Sequence, residues 1–247
     1  MQNVLSSERR MTVIEHLEEL RRVLIVSGIA WIGCTLLAFV FNGAIIGLLE
    51  RPLISVLAHG HHIVGAPIVT SPTEGISIPL KVASICGIIG ALPVILWQLW
   101  GFIAPGLKRS ERRFAGPFLA SALLLFAIGG TFAYLVMPVG LSFLANFLGG
   151  NAEFLPDLNA YLSFFTLLIV IFGVTFELPV AVVLLGLLGI VSSARLRRQR
   201  KAIWVGIVFV ALVVTPGADP FTPAALLVPL IALFEAAILV LDRVFKR

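Results

Sequence analysis

The chain has 247 residues, of which 59% are hydrophobic and 13% are charged, and its mean hydropathy is +1.06. These values exclude an ordinary soluble domain and indicate a polytopic membrane protein. The net charge of +5 is explained by basic loops facing anionic lipid headgroups, so it does not indicate nucleic-acid binding.

Six segments are predicted to cross the membrane as helices, because a bilayer core of ~30 Å needs roughly 20 apolar residues. The second segment contains Pro93, the third ends at Pro138 and the fourth contains Pro179. The last two segments are short, and the helix-breaking stretch 215–220 separates them. The predicted fold is therefore all-α, with transmembrane helices over residues 23–49, 82–102, 114–136, 161–191, 202–214 and 224–241.

Lys and Arg residues predict the orientation, because excess positive charge stays on the cytoplasmic side. Sixteen of the 18 basic residues lie before the first span, between the second and third, between the fourth and fifth, or after the sixth. Both termini are therefore predicted to be cytoplasmic, and no cleavable signal peptide is expected. The sequence predicts one integral membrane domain: an amphipathic cytoplasmic segment over 1–22, a six-helix bundle over 23–241 and a short tail over 242–247.

Acidic residues inside a membrane are costly and often mark functional sites. Glu177 lies in the middle of the fourth span, two residues before Pro179. One interpretation is a neutral carboxyl hydrogen-bonded to carbonyls that the proline leaves free. The other is a polar contact for a partner helix or a cargo. Glu235, in the sixth span, is a weaker case that snorkels or pairs with Arg243.

Two further carboxylates are predicted to lie at the cytoplasmic face. Glu19 belongs to a helical segment with a stripe formed by Leu17, Leu20 and Leu24, and Glu111 lies within the basic stretch 108–113. Taken one at a time, each carboxylate is explained by local ion pairs worth about 0–1 kcal/mol. Together they are suited to bidentate binding of guanidinium groups, which indicates an arginine-containing ligand.

Catalytic motifs are absent from the sequence, which has no phosphate-binding loop, no H-E-x-x-H, no G-x-S-x-G and no CxxC. The chain is therefore predicted not to be an enzyme and to need no cofactor. His59, His61 and His62 are interpreted as an ordinary polar loop rather than as a metal site. Cys34 and Cys86 fall in predicted spans, where a disulfide is not expected.

The order of these motifs resembles the TatC subunit of the twin-arginine (Sec-independent) protein translocase, over nearly the whole chain. Each matching sequence block is weak evidence by itself, but their order along six predicted spans is specific to the family. The matching blocks are His16 to Arg21, Pro52-Leu53, Lys81, Pro93, Gln98 to Leu107, Glu111 to Arg113, Phe132 to Tyr134 with Pro138, Tyr161 to Phe164, Gly173 to Pro179, and Thr215-Pro216 with Asp219.

The resemblance implies a receptor in a bacterial or archaeal cytoplasmic membrane. It would bind twin-arginine signal peptides of folded cargo and nucleate export, driven by the proton motive force, with the single-span partners TatA and TatB in a multimeric complex. Its implied signal-peptide-binding residues are Glu19, Leu20, Arg21, Phe102, Pro105 and Glu111. Its implied intramembrane polar or partner contacts are Pro52, Tyr134, Glu177, Thr215 and Asp219.

Departures from the family pattern occur at the external turn, where Gly217-Ala218 adds a residue and Pro223 replaces a common Gln. Aromatic residues expected before Lys81 are also missing. Two other functions are weighed against the receptor. One is an ion-coupled small-molecule transporter in which Glu177 binds the proton. The other, a membrane-embedded enzyme, ranks last because no nucleophile and base are apparent.

Overall fold

The computed structural model describes residues 13–59, 67–106, 114–147, 155–214 and 220–243. These parts of the chain are helical, with a single isolated bridge between Ile68 and Asp157 and no strand, so the all-α prediction is confirmed for them. A short 3-10 turn, Ala104–Gly106, follows the third helix. The helices are α1 Val13–Val40, α2 Asn42–His59, α3 Glu74–Ile103, α4 Ala115–Phe147, α5 Leu158–Phe176, α6 Leu178–Leu187, α7 Ser193–Arg198, α8 Arg200–Val214 and α9 Phe221–Arg243.

Five stretches within the described ranges are long and apolar enough to cross a membrane. They are Ile14–Val40, Glu74–Ile103, Ala115–Ala145, Leu158–Leu187 and Phe221–Arg243. Helix α8 has 15 residues, or about 22 Å of helix, and is shorter than these. Helix α9 has 23 residues, because it begins before and ends after the predicted span 224–241. The prediction that both of the last two helices are short is therefore wrong for α9.

The sequence placed two helix ends wrongly. The segment 23–49 is not one helix, because α1 ends at Val40 and α2 begins at Asn42, whose side-chain amide donates to the carbonyl of Phe39. This local hydrogen bond competes with the helical pattern. Pro138 does not end the third span, since α4 continues through it to Phe147. In a membrane, neighbouring helices tolerate such an internal proline.

The predicted fourth span is divided at Glu177 into α5 and α6. Pro179 has no N–H to donate to the carbonyl of Thr175, four residues earlier. At this break the Glu177 N–H donates to the carbonyl of Val174 at 3.1 Å. The helix resumes where the Ala181 N–H donates to the carbonyl of Glu177 at 3.0 Å. The proline therefore places the intramembrane carboxyl at a helix break.

Helix α5 lies at the centre of the bundle, and α1 lies at its edge. Phe165 and Phe172 of α5 are fully buried. Only 6% of the apolar stretch of α1 is buried, against 33% of the stretch formed by α5 and α6. Because α1 packs almost entirely on α3, the position of its N-terminal end depends on that single contact.

Small residues allow α1 and α3 to approach closely. Ala83, Gly87 and Ala91 are buried and recur every fourth residue on α3, so they form one face of the helix. A Cβ atom on Gly87 would lie 2.7 Å from the backbone N and Cα of Thr35 on α1. The indole N–H of Trp31 donates to the carbonyl of Ser84 at 3.0 Å. The seam between α1 and α3 is thus tight at its middle.

Ion pairs join α7 and α8 to α9. Arg197 pairs with Asp242 at 2.7 Å, and Arg200 pairs with Glu235. Of the two alternatives for Glu235, the pairing with Arg243 is therefore not the one found. Arg200 begins α8 and lies beside α9, so its guanidinium reaches Glu235 across the two antiparallel helices.

A polar network ties the start of α3 to the start of α5. Glu74 is buried, with 7% of its surface exposed, and accepts from the Thr70 N–H at 3.0 Å and the Asn159 amide at 3.3 Å. Lys81 donates to the Asn159 side-chain oxygen at 2.8 Å and the Ser163 hydroxyl at 2.7 Å. Asn159 therefore bridges a carboxylate and an ammonium group that do not pair directly.

Candidate functional site

The N-terminal turns of α1 meet the C-terminal end of α3. The His16 ring stacks on Phe102, with ring centroids 4.2 Å apart and an interplanar angle of 16°. Phe102 precedes the turn Ala104–Gly106, which ends the helix. The predicted site residue Phe102 thus holds the start of α1 against α3.

Glu19 lies one turn after His16, on the same face of α1. Its side chain is 27% exposed, and its Oε2 lies 4.0 Å from the His16 Nδ1. That separation is too long for a hydrogen bond. The Oε2 atom is shielded from solvent and has no hydrogen-bond partner among the described residues. A shielded acceptor without a donor is unfavourable, so this carboxylate is suited to receive a donor from outside the described residues.

Three other predicted signal-peptide residues are exposed on α1 or in the turn that follows α3. Leu20 and Arg21 are exposed on the next positions of α1, and Pro105 is exposed in the turn after α3. Glu111 lies outside the described residues, in the connection between α3 and α4. Its predicted approach to Glu19 therefore stays a prediction.

Tyr134, predicted with Pro52 as an intramembrane polar or partner contact, makes a hydrogen bond to α2 next to Pro52. Pro52 has no N–H, so the carbonyl of Leu48 lacks its usual helical donor. The Tyr134 hydroxyl donates to that carbonyl at 3.0 Å, and the Tyr161 hydroxyl donates to the next carbonyl, Leu49, at 2.7 Å. The two tyrosines thus fix the proline-containing part of α2 to α4 and α5.

Replacing Tyr134 with Phe is expected to lower the free energy of unfolding by about 1 kcal/mol, because the Leu48 carbonyl loses its donor. In a Pro52→Ala background the backbone N–H of the new alanine supplies that donor, so the same change should cost less. Thermal unfolding of the four proteins in detergent measures this coupling. Equal costs in the two backgrounds would contradict it.

Glu177 is half-buried at the break between α5 and α6, and its Oε1 atom has no hydrogen-bond partner among the described residues. It makes no described contact with the Glu19 site. Two residues later, Pro179 lines an apolar cavity of about 480 Å³, together with Trp100, Phe118 and Val183. The described contacts give this oxygen no hydrogen bond, and both interpretations of Glu177 stay predictions.

The remaining predicted site residues, Thr215 and Asp219, lie outside the described residues, as do His61 and His62. No group of three His, Cys, Asp or Glu side chains suited to a metal occurs in the parts of the chain that the structure describes.

Sequence reasoning missed three residues that the structure brings into these clusters. His16 was noted only as part of a motif, although an aromatic ring three residues before a carboxylate shares its helix face. Tyr161 was also noted only in a motif, and no local signal links it to α2. Asn159 gives no sequence signal, because its role depends on the distant residues Glu74 and Lys81.

Comparisons with known proteins agree on one family. Residues 15–229 match the family described as Sec-independent protein translocase protein (TatC). The chain is 40% identical to TatC of Escherichia coli strain K12, covering 95% of this chain and 89% of the relative. It is 37% identical to TatC of Frankia casuarinae, covering 94% of this chain and 66% of the relative.

A solved structure is also similar. The crystal structure of the twin arginine translocase receptor TatC superposes with a TM-score of 0.75 at 33% identity, and the match covers 94% of this chain and all of that one. The chain therefore belongs to the TatC family and is a multi-pass, non-enzymatic component of a Sec-independent protein translocase.

Proposed function

We propose that the chain is the receptor and core subunit of a twin-arginine translocase, which binds the paired arginines of cargo signal peptides. The observation that carries this proposal is the Glu19 Oε2 atom, shielded from solvent and without a described donor, beside the stacked pair His16 and Phe102. The similarity to a solved twin arginine translocase receptor supports the same function.

Guanidinium is the donor that fits this acceptor best. It presents five N–H groups in a planar fork and binds carboxylates through two parallel hydrogen bonds. An ammonium group lacks that planar fork, so a site built on carboxylates favours Arg over Lys when bidentate geometry is required. In this proposal Glu19 binds one arginine of the pair, Glu111 binds the other, and Leu20, Arg21 and Pro105 surround the signal peptide.

The proposed topology has six crossings, with α8 as a short span and both termini in the cytoplasm. Basic residues support it, because Arg21 and Arg22, Lys108 to Arg113, Arg195 to Lys201 and Arg243 to Arg247 would then share one side. A reporter fused after Arg247 tests the count. With six crossings, this reporter and a second one fused at the N-terminus should both lie on the cytoplasmic side. Five crossings would place the two reporters on opposite sides of the membrane.

The proposed partners are TatA and TatB, single-span subunits that join this chain in a multimeric complex in the cytoplasmic membrane and use the proton motive force. Glu177 would make the polar contact with a partner helix, because its Oε1 atom needs a donor inside the membrane. Thr215 and Asp219, between α8 and α9, would contact partners at the external side.

Export in cells that lack their own TatC tests the proposed function. With this chain and matching TatA and TatB, we expect a folded reporter carrying an Arg-Arg signal to cross the membrane. The same reporter with a Lys-Lys signal should stay inside. Export of both signals to the same extent, or of neither, would contradict the proposal.

A second candidate function is an ion-coupled transporter of small molecules, which the unpartnered oxygen of Glu177 favours. Proton-driven uptake of a solute into vesicles that contain this chain alone, lost in a Glu177→Gln variant, would support the transporter. If the Glu177→Gln variant still exports an Arg-Arg reporter, Glu177 is not essential for export.

A further inference from the structure

His16 lies where it can act on the same guanidinium as Glu19. Its Nδ1 atom and the Glu19 Oε2 are 4.0 Å apart without a hydrogen bond between them. A neutral imidazole has one nitrogen that accepts a hydrogen bond, whereas a protonated imidazole has none. Two acceptors at this separation are within reach of different N–H groups of a single guanidinium.

The His16 ring is held in place by α3, because it stacks on Phe102 at 4.2 Å. The side chain is nevertheless 51% exposed, so a ligand can reach the ring edge that Phe102 leaves uncovered. Phe102 therefore positions the imidazole without occupying its nitrogens.

Resting on the proposed function, we propose that His16 is a specificity-determining residue that makes arginine recognition depend on pH. When neutral, it accepts one N–H of the guanidinium that Glu19 binds. When protonated, it donates to Glu19 instead, which occupies the carboxylate and repels the incoming cation. Affinity for the Arg pair should then fall as the pH is lowered.

Few other titratable groups face His16 in the described parts of the chain. Helix α1 also carries Glu15, Glu18 and Arg21, but positions one or two residues from His16 do not share its helix face, whereas Glu19 does. The titratable residues of α3 are Glu74, Lys81 and Cys86, nearer its other end, and the turn Ala104–Gly106 has none. The connection 107–113 adds Lys108, Arg109, Glu111, Arg112 and Arg113, which lie outside the described residues.

The test compares binding of an Arg-Arg signal peptide to the purified full-length chain between about pH 5 and pH 8, the range in which imidazoles change charge. His16→Phe keeps the stacking ring and removes both nitrogens, so affinity at pH 8 should fall about tenfold. His16→Asn keeps an acceptor that does not titrate. Both variants should lose most of the pH dependence of the wild type, and His59→Phe should retain it.

Equal affinity of wild type and His16→Phe at pH 8, or an unchanged pH profile in both variants, would overturn this inference. Thermal unfolding identifies a variant that has merely lost its fold. If wild type does not prefer the Arg-Arg peptide over a Lys-Lys peptide at any pH, the proposed function fails. If it does and the His16 variants behave like wild type, only the role of His16 fails.

Discussion

Replacing Gly87 with Val is expected to separate α1 from α3 and to weaken the Glu19 site as well. The new side chain would meet the Thr35 backbone, since even a Cβ atom would lie 2.7 Å from its N and Cα. Backbone atoms cannot move aside as the end of a side chain can, so the cost should be about 3 kcal/mol or more.

The resulting loss of thermal stability should be roughly 6 to 12 °C for a chain of this size. Signal-peptide affinity should fall in the same variant, because α1 carries Glu19 and α3 carries Phe102. Gly33→Ala on α1 is the matched control, since nothing lies within 4 Å of its added Cβ. A stable Gly87→Val protein with normal affinity would show that the seam does not position the site.

Replacing Lys81 with Met is expected to destabilise the opposite end of the bundle. The change keeps the length of the side chain but removes the donor to Asn159 and Ser163, at 2.8 and 2.7 Å. It also leaves the buried Glu74 carboxylate without a nearby compensating cation. Hydrogen bonds to charged groups are worth about 1.5–3 kcal/mol, so the loss should be at least of that order.

A second substitution tests whether the network acts as a unit. Glu74→Gln removes the negative charge, so in the Lys81→Met protein it should restore part of the lost stability, making the double variant more stable than the sum of the two single changes. Lys201→Met, on the exposed start of α8, is the control and should change little. Strict additivity of the two changes at 74 and 81 would mean that Asn159 does not couple them.

The sequence predicted the helical class and the apolar segments because both depend on local composition. It misplaced the junction at Val40 and Asn42, because Asn42 and Gly43 interrupt the apolar run between residues 23 and 49 only briefly. Pro179 predicted a disturbed helix near Glu177, since a missing N–H is a local property. Pro138 has the same property without ending α4, because its effect depends on neighbouring helices.

The site could be predicted only in part for the same reason. Glu19 was identified because its helix face and charge are readable from the chain. The partnership of His16 with Phe102 joins residues on α1 and α3, and the contact of Tyr134 with the Leu48 carbonyl joins α4 and α2. Such pairs follow from how the helices pack, and the spacing of residues within one helix does not encode them.

Binding of an Arg-Arg signal peptide to the detergent-solubilised chain, beside the same peptide with Lys-Lys, tests the receptor function most directly. Wild type should prefer the Arg-Arg peptide. Glu19→Ala should reduce its affinity at least about thirtyfold, as expected when a shielded charge pair loses one partner, and Glu111→Ala should also reduce it. Glu18→Ala, on the exposed side of α1, should bind like wild type. Equal binding of both peptides by all four proteins would contradict recognition of the arginine pair by these carboxylates.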